Sequence, residues 1–130
     1  MRFRVLAFLS IVASLLMVVS ALAQDPLSGT WSGDWGPSPG DRNDVTLQLK
    51  WDGKALTGNV TGGTNVTSPI ALQKATFDTK TGAIHMEVVT PGNGRGVYHY
   101  IIDGKVENET ITGLWHHEAA KGDFQIKKIG

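Results

Sequence analysis

Residues 43–51, NDVTLQLKW, alternate between apolar and polar side chains along the whole segment. A period of two is typical of a β-strand with one buried face, because successive side chains of a strand point to opposite sides. The following Trp51-Asp52-Gly53-Lys54 has the composition of a tight hairpin turn. Seven similar segments, each bounded by turn residues, accompany this one. The predicted strands cover 28–36, 43–51, 55–62, 69–77, 83–90, 97–106, 110–118 and 123–129.

Eight consecutive strands joined by short turns predict an all-β fold with antiparallel neighbours. We expect an eight-stranded antiparallel up-and-down β-barrel, because closure of the sheet removes both exposed edges. A sandwich of two sheets is the alternative, although sandwiches usually have longer crossover connections. The 16 glycines of the chain agree with an architecture of short strands and tight turns.

The N-terminal 23 residues, MRFRVLAFLSIVASLLMVVSALA, have the pattern of a secretory signal peptide. Arg2 and Arg4 form the charged start, an apolar run follows, and Ala21-Leu22-Ala23 provides a small-x-small cleavage site. The apolar run is shorter than the roughly 20 residues that a membrane-spanning helix needs. We therefore expect cleavage after Ala23, a secreted or periplasmic location, no membrane span after cleavage, and a single β-barrel domain over residues 24–130.

Charge and cysteine content exclude several classes of protein. Without Arg2 and Arg4, the 12 basic residues fall to 10 against 12 acidic ones, so the formal charge of the mature chain is −2. A nucleic-acid-binding domain normally carries a basic surface, so no nucleic-acid partner is expected. The chain contains no cysteine, so no disulfide can stabilise it after export.

Gly29-Thr30-Trp31 on the first predicted strand resembles the Gly-x-Trp signature of the calycins, the group that contains lipocalins, fatty-acid-binding proteins and avidins. In that group the tryptophan closes one end of the barrel, and a basic residue of the last strand lies across its ring. The resemblance therefore implies that Trp31 is a structural plug and that Lys127 or Lys128 lies beside it. Small secreted bacterial domains of lipocalin type show the same pattern.

Within the calycins, the order of the segments SGTWSGDWGPS, DGKALTGNVTG, ITGLWHHE and GDFQIKKI is most similar to that of the avidins. The biotin-binding residues are not retained. Gly33 stands where an avidin has the asparagine that contacts the biotin ureido group, and Pro37 replaces a serine. The resemblance accordingly implies the barrel but not biotin as its ligand.

Aromatic residues are the strongest candidates for a binding site. Trp35 and Trp51 are expected at the same end of the first hairpin, and Trp115 shares a strand face with Ile111 and Gly113. Aromatic walls suit an apolar or aromatic small molecule, and at a barrel mouth they also suit a sugar ring. The predicted ligand-binding residues are Trp35, Trp51, Tyr98, His99, Tyr100 and Trp115, with the loops Gly36–Asp41 and Pro91–Gly96 as rims. Gly58 and Gly113 are expected to face inward and to leave volume for the ligand.

The histidines offer a weaker hypothesis. His99 is expected opposite Glu118, and one of His116 and His117 would share its face, which makes a divalent metal site conceivable. His85 and Glu87 are expected to point outward from the strand that carries Ile84, Met86 and Val88. Solvated histidines at strand ends explain the same residues, so no metal ligand is assigned.

No catalytic motif is present: the chain has neither a Gly-x-Ser-x-Gly elbow nor a His-Glu-x-x-His helix, and PGNGRG lacks the lysine of a phosphate loop. We expect a non-enzymatic module without a cofactor that binds a small apolar or aromatic molecule in the barrel mouth. The alternative is a filled barrel that meets a protein or a glycan through its surface. The sequence leaves the oligomeric state open.

Overall fold

The computed structural model describes residues 25–62, 68–91 and 96–130. The predicted signal peptide, its cleavage site and residues 92–95 of the predicted Pro91–Gly96 rim lie outside these ranges. The described part folds into nine strands: β1 (Gly29–Ser38), β2 (Asp41–Trp51), β3 (Leu56–Gly62), β4 (Ile70–Ala71), β5 (Lys74–Phe77), β6 (Ala83–Pro91), β7 (Val97–Glu107), β8 (Thr110–His117) and β9 (Ala120–Lys128).

All nine strands belong to one antiparallel sheet with the order β4-β3-β2-β1-β9-β8-β7-β6-β5. The predicted all-β antiparallel fold is therefore confirmed, and a sandwich of two sheets is not what forms. Among the described residues, no helix is long and apolar enough to cross a membrane.

The strand count differs from the expected eight because the predicted strand 69–77 is divided at Leu72 and Gln73. The N–H group of Leu72 donates to Gly58 O on β3 at 2.9 Å, whereas that of Gln73 donates to Glu87 O on β6 at 2.8 Å. Two neighbouring residues thus bond to opposite edges of the sheet. The chain bends at this point, so β4 and β5 are separate strands that stand at the two ends of the strand order of a curled, barrel-like sheet.

One end of the barrel is filled by apolar side chains around Trp31. Both Trp31 and Leu27 are completely buried, and the Trp31 indole N–H donates to Leu27 O at 2.8 Å. Lys128 is the Cα partner of Trp31 on β9, so a lysine does stand next to this tryptophan on the last strand. Trp31 is therefore the plug that the Gly-x-Trp signature implies.

The alternation read from the sequence describes the faces of the strands well. Leu47, Leu49 and Leu56 are buried, and so is the series Ile84, Met86, Val88 on β6. The turn between β7 and β8 falls on Asn108 and Glu109, whose φ angles of 49° and 61° match a tight hairpin that closes a twisted pair of strands. Hydrophobic period and turn chemistry were thus sufficient to place these elements.

The two glycines that were expected to widen the interior have a different role. A Cβ at Gly58 would collide with the carbonyl oxygen of Gln48, and one at Gly113 would collide with that of Asp103. These atoms belong to the backbone of the neighbouring strand rather than to the interior. Gly58 and Gly113 therefore allow close strand approach, and the expectation that they provide ligand volume is wrong.

We predict that Gly113→Ala lowers the free energy of unfolding by about 1–3 kcal/mol, because neighbouring backbone must move to accept the methyl group. Gly40→Ala is the matched control, since a Cβ there meets nothing within 4 Å. Urea denaturation followed by tryptophan fluorescence measures both. Equal stability of the two variants would contradict the close strand approach at Gly113.

Candidate functional site

A cavity of about 150 Å³ occupies the end of the barrel opposite to the Leu27 and Trp31 plug. Its aliphatic wall comes from β2, β3, β6 and β7 and includes Leu47, Val60, Met86, Val88 and Ile102. Its aromatic wall is formed by Trp35, Tyr100, Trp115 and Phe124. Because strand alternation brings every second residue inward, the cavity is the part of the interior that these side chains do not fill.

The aromatic wall is held by contacts among its own rings. The ring centroid of Trp35 lies 5.0 Å from that of Trp115 and 5.7 Å from that of Tyr100, with interplanar angles of 84° and 83°. Edge-to-face packing of this kind is favourable beyond the area that it buries. The indole N–H of Trp115 donates to Asp123 O at 3.0 Å, which fixes that ring. Trp35, Tyr100 and Trp115 therefore form a preorganised surface, and these three predicted site residues are brought together.

Next to this wall, Tyr98 and His117 form a second aromatic pair. Their rings are stacked with a centroid distance of 4.7 Å and an angle of 16°, and His117 also lies 5.0 Å from the Tyr100 ring in an edge-to-face contact. Tyr98 is thus close to the site but outside the cavity lining. His117 was not predicted to belong to this cluster. The alternation that places Trp115 inward places His117 inward as well, so the signal was present.

Trp51 is a predicted site residue that the structure places elsewhere. Gly29 of β1 pairs with Leu49 of β2, so Trp51 lies beyond the start of β1, at the plugged end. There it packs edge-to-face on Phe77 at 5.3 Å, and its backbone N–H donates to Ser28 Oγ at 2.9 Å. The expectation that Trp35 and Trp51 share one end of the hairpin is wrong, because Trp35 lies at the far end of β1.

His99 is also excluded from the cavity, because it lies on the outer face of β7. Its Nε2 atom is 3.0 Å from Glu87 Oε1, so its partner is on β6 and not the expected Glu118. His117 faces inward, and the proposed group of His99, His117 and Glu118 is therefore divided between two faces. Among the described residues, no group of three His, Cys, Asp or Glu side chains is arranged to hold a metal ion.

The described parts of the two predicted rims begin next to residues that line the cavity. Gly36–Asp41 directly follows Trp35, and Pro91 directly follows Thr90, and both Trp35 and Thr90 line the cavity. Thr90 is a buried polar residue of the core, with 6% of its surface exposed. Sequence reasoning did not single out Thr90, although it continues the inward series Ile84, Met86, Val88.

Charged groups lie outside the cavity. Arg42 is the cation closest in sequence to the Trp35 strand end, but its guanidinium contacts Asp34 at 2.6 Å and Asp123 at 2.5 Å on the outer face. No charged side chain lines the cavity among the residues that the structure describes. Burial raises the pKa of Tyr100, with a smaller contribution from Tyr98, so the Tyr100 hydroxyl stays protonated at neutral pH.

No family model matches the chain, and no curated protein matches it in sequence. A solved structure, the crystal structure of a point mutant of the fluorescent protein UnaG, is similar in fold. It shares 12% sequence identity and a TM-score of 0.47, and the similarity covers 82% of this chain and 98% of that one. At this level of similarity the comparison assigns no function to the chain, and the function has to be inferred from the cavity itself.

The outer face of β6 and β7 supports a prediction about pH. The ring nitrogens of His85 lie 2.6 Å from Asp103 Oδ1 and 2.7 Å from Glu87 Oε2, and these hydrogen bonds, the one to Glu87 first, raise the pKa of His85. Because the pKa of His85 is raised in the folded state, the charged ring adds to the free energy of unfolding. This contribution is fully present below the unfolded-state pKa of about 6.5, and it is lost as the pH rises through the folded-state pKa.

We therefore expect the melting temperature of the wild type to exceed that of His85→Gln by more at pH 5.5 than at pH 9. Circular dichroism measures both melting temperatures. In an NMR titration, Glu87→Gln should lower the pKa of His85. A His85 pKa at or below that of an exposed histidine would contradict the ion-pair arrangement.

Proposed function

We propose that this protein is a non-enzymatic binding module that captures a compact apolar or aromatic molecule in the open end of its barrel. The observation that carries the proposal is the contrast between the two ends. Trp31 and Leu27 fill one end completely, whereas the other retains a cavity of about 150 Å³ with aromatic and aliphatic walls. Concave apolar sites with a few polar groups are typical of small-molecule binding.

The cavity volume limits the ligand to a small one. An apolar cavity of about 150 Å³ in another protein is large enough for benzene, so a single aromatic ring with a short substituent is the expected size. A ligand of this size binds with an affinity that we expect between about 1 μM and 1 mM, or roughly −8 to −4 kcal/mol. Trp35, Tyr100 and Trp115 are the proposed contact residues.

A filled barrel that acts through its surface is the alternative. The described residues expose three large apolar side chains, Val97, Leu114 and Ile129. Apolar side chains that are exposed singly are common on soluble proteins and need no partner to explain them. The cavity therefore favours ligand capture over a surface that recognises a protein or a glycan.

We also propose that the module acts after export, as a secreted or periplasmic protein. The support is the N-terminal segment with Arg2, Arg4, an apolar run and Ala21-Leu22-Ala23. The fatty-acid-binding and lipocalin-type barrels that the Gly-x-Trp segment resembles act as carriers, and the proposal gives this chain a comparable role for a much smaller molecule.

Native mass spectrometry of the protein purified from its own source tests the proposal directly. Because a ligand of the expected affinity dissociates during purification, we expect the mass of one small ligand to be added when the small-molecule extract of the source is returned to the protein. N-terminal sequencing of the same sample should begin at Gln24. A bare native mass, together with no response to a titration with toluene, would overturn the ligand-binding role.

The cavity can be filled by a substitution within its wall. Val60→Phe should place a ring in the space that the ligand occupies and should weaken toluene binding at least tenfold. Val97→Phe is the matched control, because Val97 is 58% exposed and its side chain is not part of the lining. Toluene binding is measured by ¹H–¹⁵N NMR from the indole N–H signals of Trp35 and Trp115. Equal affinities of the two variants would show that toluene binds somewhere else.

A further inference from the structure

The polar groups of the cavity wall define the chemistry of the ligand more narrowly than its volume does. The lining carries hydrogen-bonding side chains at four positions, Trp35, Thr90, Tyr100 and Trp115. The Trp115 indole is already engaged with Asp123 O. Within the described part of the chain, Trp35, Thr90 and Tyr100 donate no side-chain hydrogen bond, and no fully buried side-chain polar atom lacks a partner. Any of these three donors that has no partner therefore borders accessible space.

All three of these groups are neutral donors. The indole of Trp35 can only donate, whereas the hydroxyls of Thr90 and Tyr100 donate one hydrogen each and can also accept. The raised pKa of Tyr100 keeps its proton in place through neutral and mildly alkaline pH. Because the Trp35 indole can only donate and no side-chain nitrogen or oxygen of the described lining can only accept, the wall is complementary to a ligand atom that accepts hydrogen bonds.

The same wall is unsuited to an anion. A carboxylate that leaves water needs a cation or several strong hydrogen bonds to compensate its lost hydration. The nearby guanidinium of Arg42 is on the outer face and is engaged by Asp34 and Asp123. Among the described residues no lysine, arginine or histidine lines the cavity.

A cation is disfavoured for a related reason. Organic cations bind to the open faces of aromatic rings. Here Trp35 packs edge-to-face against both Tyr100 and Trp115, with centroids 5.7 and 5.0 Å apart, so these rings do not form a cage that encloses an ammonium group between them. The described lining also contains no carboxylate that would neutralise a cation.

From these observations, and on the basis of the proposed ligand-binding role, we propose that the ligand is an uncharged single-ring aromatic compound with one hydrogen-bond acceptor, such as a carbonyl or ether oxygen. Its ring packs against Trp35 and Trp115, and its acceptor receives a hydrogen bond from Tyr100, Thr90 or both. Long-chain carboxylates are excluded by charge as well as by size.

Four probes of nearly the same shape separate the alternatives: acetophenone, isopropylbenzene, benzoate and phenyltrimethylammonium. Their affinities are measured at pH 7 with the full-length gene product as its own source processes it, again from the indole signals of Trp35 and Trp115. We expect acetophenone to bind at least tenfold more tightly than benzoate or phenyltrimethylammonium. If benzoate or phenyltrimethylammonium binds as tightly as acetophenone, or more tightly, the proposed ligand class is wrong.

Two conservative variants test the donors. Tyr100→Phe and Thr90→Val remove the hydroxyls and keep the shape of the wall. The preference is the ratio of the affinity for acetophenone to the affinity for isopropylbenzene. We expect this ratio to fall about three- to tenfold in at least one single variant and in the double variant, which is the change typical of one lost hydrogen bond. Tyr98→Phe and Thr112→Val are the matched controls, since neither Tyr98 nor Thr112 lines the cavity.

The comparison with isopropylbenzene separates a lost hydrogen bond from a general disturbance of the cavity, because a disturbance weakens both probes equally. An unchanged preference in the double variant overturns the role of the hydroxyls. Failure of this inference is distinct from failure of the proposed function: in the first case toluene still binds inside the barrel, and in the second no probe binds there.

Discussion

Two neighbouring peptide groups join the edges of the sheet. Leu72 N–H bonds to β3 and Gln73 N–H bonds to β6, so the chain crosses from one edge strand to the other within a single residue step. Without this connection the sheet would present two edges with unpaired backbone groups, which invites association with other chains. Leu72 and Val60 lie on one side of this junction and Met86 on the other, and all three line the cavity. The cavity therefore lies where the curling of the sheet brings residues of β3 and β6 close to this junction.

The two ends of the closed barrel differ because β1 carries two tryptophans in different settings. Trp31 is completely buried and bonded to Leu27 O, and it blocks one end. Trp35 is four residues further along the same face, where it meets Tyr100 and Trp115 rather than aliphatic side chains. One strand thus provides both the plug and part of the proposed binding surface.

Charge is separated from this interior. Arg42 is held by Asp34 and Asp123 outside one wall, and His85 is held by Glu87 and Asp103 outside another. Because burial of an unpaired charge is very unfavourable, alternation along each strand directs these groups to solvent and leaves neutral side chains inside. The chemistry available to a ligand is therefore limited to ring faces, aliphatic surface and a few neutral donors.

The amino-acid sequence by itself determined the class of fold and the faces of the strands. Period-two alternation identified the buried side of β2, β6 and β8, and turn residues such as Asn108 and Glu109 marked the hairpins, because these signals depend on a few consecutive residues. The Gly-x-Trp segment also pointed correctly to Trp31 as a plug. For the candidate site, Trp35, Tyr100 and Trp115 could be selected as inward aromatic residues.

Only the tertiary structure decided which inward residues meet. The bend at Leu72 and Gln73 has no local signal, because it results from pairing with two distant strands. The register of β1 against β2 moved Trp51 to the plugged end, and the pairing of β6 with β7 placed His99 beside Glu87 outside the barrel. Glycines predicted to open the interior proved to serve close strand contacts, as at Gly113. Alternation assigns a side chain to a face, whereas its height along the barrel and its neighbours depend on long-range register, which residues close in sequence do not encode.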